Sequence, residues 1–83
     1  MYEIVFKQKG RRAVARLPES VHGRVMRAID SLAENPRPTG CRRLRGRKDW
    51  RVRVGDYRII YGIDDDRRIV EILSAAHRRE IHR

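Results

Sequence analysis

Residues 50–61 read WRVRVGDYRIIY. Gly55-Asp56 separates two runs rich in β-forming residues, and a two-residue loop with glycine first marks a tight β-hairpin. With Gly55-Asp56 as that loop, the register follows. Val54 faces Tyr57, Arg53 faces Arg58, Val52 faces Ile59, Arg51 faces Ile60 and Trp50 faces Tyr61. Side chains alternate across a strand. One face therefore carries Trp50, Val52, Val54, Tyr57, Ile59 and Tyr61, the makings of a core. The other carries Arg51, Arg53 and Arg58, with Ile60. Like charges facing each other across a sheet repel, so this second face needs an answering anion.

The rest of the chain supplies what covers the apolar face. Residues 2–6, YEIVF, alternate, with Tyr2, Ile4 and Phe6 on one side, and predict a short strand. QKGRRAVARL predicts a short helix ending near Leu17, weakened by Gly10. Pro18 suits the first turn of a second helix, and Glu19 places charge of the favourable sign there. Val21, Val25, Ile29 and Leu32 recur at helical spacing, while Arg24, Arg27 and Asp30 fall on the wet side. Asn35 before Pro36 ends that helix. The two helices read as a hairpin laid over one face of a sheet. RPTGCRRLRGRKD is a basic connector, with Leu44 as its anchor; its Arg42, Arg43, Arg45, Arg47 and Lys48 read equally as RNA contacts or as solvated charge. Residues 64–66, DDD, are a solvated turn; three adjacent side chains do not converge on one ion, so no metal site is expected. RIVEILSAA is a further strand whose core face its pattern does not fix.

Eighty-three residues allow one small domain, 1–83. No run approaches eighteen apolar residues, so no membrane span is expected. The opening MYEIVFKQKG lacks the order of a signal peptide, so a cytoplasmic protein is expected. Cys41 is the only cysteine; it reads as a packed or idle thiol and excludes an internal disulfide. The formal net charge is +10. Lysine occurs only at positions 7, 9 and 48, so 18 of the 21 basic residues are arginine. Arginine grips phosphate through two parallel hydrogen bonds. The excess points to nucleic acid or an acidic protein partner, against the plainer reading of an arginine-rich solvated surface.

Two readings of the arginine face stand at this stage. Glu71 answers the charge internally if the last strand's register brings it there. Otherwise the face holds phosphate. Metal-free RNA cleavage requires a base for the 2′-OH, cations around the pentavalent phosphate and an acid for the departing 5′-oxygen. Arg51, Arg53 and Arg58 meet the second need. Arginine, with a pKa above about 12, is a poor proton acceptor. That leaves His77, His82 or a tyrosine for proton transfer; His22 reads as a surface residue of the second helix.

The fragment VGDYRIIY, the acidic turn after it and the closing HRREI, with LPESV before the second helix and NPRPTGC after it, resemble the RelE/ParE superfamily of bacterial and archaeal toxins. The resemblance spans essentially the whole chain. It implies an α+β fold: two N-terminal helices packed on one face of a small, about four-stranded, antiparallel-rich sheet. It implies a toxin neutralised by a cognate antitoxin, which the charge of this chain expects to be acidic. For RelE-like members it implies cleavage of mRNA in the A site of the 70S ribosome, without metal or small-molecule cofactor. Arg51 and Arg53 fall where such toxins carry paired basic residues, often lysines. Arg58 matches the arginine after the tyrosine of DYR. Arg78 matches an arginine that stabilises the phosphate or the leaving group. His82 stands where many relatives have a catalytic tyrosine, this chain ending EIHR. Proton transfer then falls to His82 or His77, or catalysis rests on positioning and charge. Arg43, Arg45, Arg47, Lys48 and Arg79 are the further RNA-binding candidates. Two other readings share the fold: a ParE-type inhibitor of DNA gyrase, and an RNA- or ribosome-binding homologue of weak activity.

Overall fold

The computed structural model describes residues 1–81, with side chains through Arg79. The chain opens with strand β1 (Glu3–Phe6), followed by helices α1 (Gln8–Ala15) and α2 (Glu19–Leu32). Strands β2 (Arg42–Arg43), β3 (Trp50–Val54), β4 (Tyr57–Asp64) and β5 (Ile69–His77) come next, and a single turn of helix, α3 (Arg78–Ile81), closes the described chain. The sheet order is β1-β5-β4-β3-β2. Only β1 runs parallel to its neighbour, β5; the other pairings are antiparallel.

The expected α+β architecture is present, with one strand more than the four anticipated. The additional strand is the two-residue β2, inside the segment read as a connector. Two residues are too few to show a period. Leu44 holds that connector through its backbone: its N–H donates to the Asp49 carbonyl at 2.9 Å and its carbonyl accepts from Arg47 N–H at 3.2 Å.

Both helices lie on the face formed by the alternating apolar residues. In α2, Val25 and Ile29 are fully buried and Leu32 is 1% exposed. Each such side chain removed from water contributes roughly 1.5–3 kcal/mol. Pro18 sits one position earlier than expected, as the residue preceding α2, and its carbonyl accepts from the Val21 and His22 N–H groups at 2.9 Å. α1 ends at Ala15, short of Leu17. Beneath the helices lie Ile59, Tyr61, Val70, Ile72 and Ala75, with Tyr2, Ile4, Phe6, Trp50, Val52, Val54 and Tyr57 packed around them. Tyr61 donates its hydroxyl to the Pro36 carbonyl at 2.7 Å, which ties the segment after α2 to the sheet. Burial, first of all, pushes that phenol's pKa up.

The β4–β5 register shifts between Ile60 and Tyr61: Ile60 pairs with Ser74 but Tyr61 with Ile72. Leu73 is the extra residue of a β-bulge, which changes the alternation of the strand. Val70 and Ile72 face the helices before it, and Ala75 and His77 after it. The open face of β5 carries Glu71 and then Ser74 and Ala76.

Candidate functional site

The hairpin has the expected register at all five pairs, from Trp50↔Tyr61 to Val54↔Tyr57. Gly55 takes φ 60, the left-handed value that a type II′ turn requires at its first loop position. Arg51, Arg53 and Arg58 consequently share the face away from the helices. β2 adds a fourth: Arg42 pairs with Arg51, so both point the same way. From the sequence Arg42 is one of the connector's basic residues, for which RNA contact and plain solvation read alike. Its signal is a register visible only once β2 is known to pair with β3.

Ile60 lies on this face, opposite Arg51, yet is only 6% exposed. The Arg51 guanidinium is held below its ordinary pKa, first by loss of solvent and then by Arg53, Arg58 and Arg42. Glu71 does not answer these charges. It pairs with Lys7 at 3.4 Å, and in register it stands opposite Gly62. Among the described residues, Arg42, Arg51 and Arg53 form no ion pair.

α3 brings two more cations to the turn. The Arg78 N–H donates to the Asp56 carbonyl at 2.8 Å. The Arg79 N–H donates to His77 Nδ1 at 3.2 Å. Arg53, Arg58, Arg78 and Arg79 thereby line one cleft of about 400 Å³ around Gly55-Asp56. Concentrated positive charge with a polar lining makes this a candidate anion site.

The remaining candidates are dispersed. Arg43 pairs with Trp50 and so points to the helix side, away from Arg42. Arg45, Arg47 and Lys48 are exposed in the connector. Arg47 is bound by Asp49, and Lys48 lines a separate cleft with Asp64 and Glu71. His77 is also on the helix side, edge-on to Tyr57 with ring centres 5.3 Å apart. It borders a cleft of about 770 Å³ with Lys9, Arg12 and Arg16 of α1. The bulge at Leu73 puts it there; unbroken alternation would have placed residue 77 beside the arginines. His82 lies outside the described residues.

Comparison with known proteins agrees with this fold. The profile of the family described as the ParE toxin of the type II toxin-antitoxin system, parDE, matches residues 4–82. The chain is 34% identical over 86 residues to Toxin RelG of Mycobacterium tuberculosis, covering 99% of this chain and 97% of that one. Among solved structures, the RelBE2 toxin–antitoxin complex of M. tuberculosis superposes with a TM-score of 0.81 at 29% identity, over 92% of this chain and 96% of that one. The archaeal RelE–RelB complex of Pyrococcus horikoshii gives 0.80 at 26%, over 93% and 94%. The isolated Escherichia coli RelE toxin gives 0.81 at 20% identity, over 93% and 84%, a likeness of fold. The chain belongs to the ParE toxin family of type II toxin–antitoxin systems, within the RelE/ParE superfamily.

Proposed function

We propose that this toxin is an endoribonuclease that cleaves mRNA in the A site of the 70S ribosome, using arginine charge where other nucleases use metal. The supporting observation is the open face carrying Arg51, Arg53 and Arg58, to which the Asp56–Arg78 hydrogen bond delivers Arg78. In the reaction the 2′-oxygen bonds to the adjacent phosphorus as its proton passes to a base. The bond to the 5′-oxygen breaks, and an acid protonates that oxygen. Charge accumulates on the phosphoryl oxygens in between, where guanidinium groups stabilise it most. Arg53, Arg58 and Arg78 are assigned to that role and Arg51 to the approach. The proton carrier is His82, since His77 faces α1 and is engaged through Nδ1 by Arg79. Arg79 adds to the phosphate site, and Arg45 and Lys48 to the outer RNA contacts.

The partner in the resting cell is a cognate acidic antitoxin. The M. tuberculosis and P. horikoshii neighbours are toxin–antitoxin complexes. The cleft beside α1, with Lys9, Arg12 and Arg16 over Tyr57 and Ala75, suits an acidic amphipathic segment. The match to the ParE family favours a second reading, inhibition of DNA gyrase.

Primer extension on mRNA after induction, with and without translation, tests the proposal beside a supercoiling assay on the purified protein. Cuts inside codons that require translation support it. Inhibited gyrase with intact mRNA selects the second reading.

A further inference from the structure

We propose that the arginine face holds two successive phosphates of one RNA strand laid along β3, with Arg53 and Arg58 on one and Arg42 and Arg51 on the next. This rests on the reading above that the ligand is RNA. Two cross-strand pairs carry it: Arg53↔Arg58 beside the turn and Arg42↔Arg51 at the sheet edge. Directly opposite residues point the same way, so each pair presents two guanidinium groups together. Along β3, Arg51 and Arg53 are two residues apart, about 6.8 Å at the antiparallel rise. That is the length of roughly one nucleotide repeat of an extended single strand. A backbone running along β3 therefore meets one pair per phosphate.

The two positions are not equivalent. α3 is tied to the turn, so Arg78 and Arg79 join only the Arg53/Arg58 pair. The reacting phosphate belongs there. The Arg42/Arg51 pair sits at the β2 edge, with Arg42 exposed and Arg51 half-buried, where it fixes the register of the strand. Arg42 has a structural reason for its place that solvation alone does not supply. β2 is only two residues long, and it turns one arginine onto this face and the other away. An anion between Arg42 and Arg51 offsets the repulsion of two like charges set directly opposite each other across the strands.

The experiment is a coupling cycle on ribosomes programmed with mRNA bearing a single methylphosphonate, which is neutral, at the phosphate on one side or the other of the cleaved bond. Wild type, Arg42→Ala and Arg45→Ala are compared for the toxin concentration giving half-maximal cleavage. Neutralising one flank should raise that concentration roughly 10-fold for wild type, the loss expected of a charge-assisted contact. Arg42→Ala should do the same on unmodified mRNA, and the two changes together should cost no more than either alone. The other flank should show no such coupling. Arg45→Ala should be additive with both flanks, because Arg45 lies in the connector, off the strand pairs. Additive losses for Arg42→Ala at both flanks would overturn the inference while leaving the nuclease reading intact. mRNA left whole by wild type would overturn both.

Discussion

Gly10 of α1 stands flush against the backbone of β5: a Cβ at that position would lie 2.2 Å from the carbonyl oxygen of Ile72. A glycine inside a short helix is unfavourable by about 1 kcal/mol relative to alanine. Here it permits the helix to touch a central strand. The obstacle is main chain, which cannot rotate aside as a flexible side chain does. Gly10→Ala is therefore expected to destabilise, with an overpacking cost of about 1–3 kcal/mol outweighing the gain in helix propensity. At about 4–8 °C per kcal/mol for a domain of this size, a melting curve resolves it. A raised Tm would show that α1 shifts outward freely.

Asp65 fastens the turn after β4 to two distant segments. It accepts from Arg37 at 2.8 and 3.2 Å and from the Tyr2 hydroxyl at 2.6 Å. Arg37 also lies over the Trp50 ring, 5.2 Å from its centre. The hydrogen bonds from Arg37, and then from Tyr2, hold the Asp65 carboxyl down at about 2, against its ordinary 3.8. A carboxyl whose pKa falls on folding contributes stability that is fully present above the unfolded value and is lost as pH drops through the folded one. The window is thus pH 4 down to about 2. Asp65→Asn should melt below wild type at pH 6, and the two curves should converge near pH 2. A constant gap across that range would assign the loss to geometry instead of charge.

His77 accepts the Arg79 N–H through Nδ1 and so positions α3 beside the hairpin turn. An asparagine at 77 can place its Oδ1 near the same point; an alanine cannot. Loss of one such hydrogen bond is worth about 0.5–1.5 kcal/mol, so His77→Ala should slow cleavage roughly 3–10-fold. His77→Asn should recover most of that rate. A general acid or base would cost about 10²–10⁴-fold and would not be rescued by asparagine. The pH limb provides the second readout. A histidine base must be neutral, so the rate should rise with pH as the proton carrier gives up its own proton. The limb should persist in His77→Asn and vanish in His82→Ala. Single-turnover rates between pH 5.5 and 8.5 decide between the two histidines.

The hairpin was fully legible because two local rules coincide there: a glycine-first turn and a period of two. α2 was legible for the same kind of reason, four apolar residues recurring at helical spacing. β5 was not. One extra residue at Leu73 transfers every later side chain to the opposite face, a shift seen in the pairing with β4 and not in the strand's own pattern. The side on which His77 stands depended on that bulge. β2 was too short to carry a pattern, so Arg42 and Arg43 looked alike, although their side chains point to opposite faces of the sheet. Gly10 read as a weak point in a helix because its reason for being glycine lies in a strand some sixty residues later.

The arginine face is tested most directly through Arg58, which lines the cleft at the turn together with Arg53 and the α3 cations. The measurement is the single-turnover rate on ribosome-bound mRNA for wild type and Arg58→Ala, with a melting curve for each protein. A contact that strengthens as charge develops on the phosphate should be worth roughly 10²–10³-fold in rate when removed, as for lost oxyanion donors. The fold should survive, since the change relieves like-charge repulsion with Arg53. An Arg58→Ala protein that cleaves at the wild-type rate but melts many degrees lower would contradict this, and would make Arg58 a structural residue.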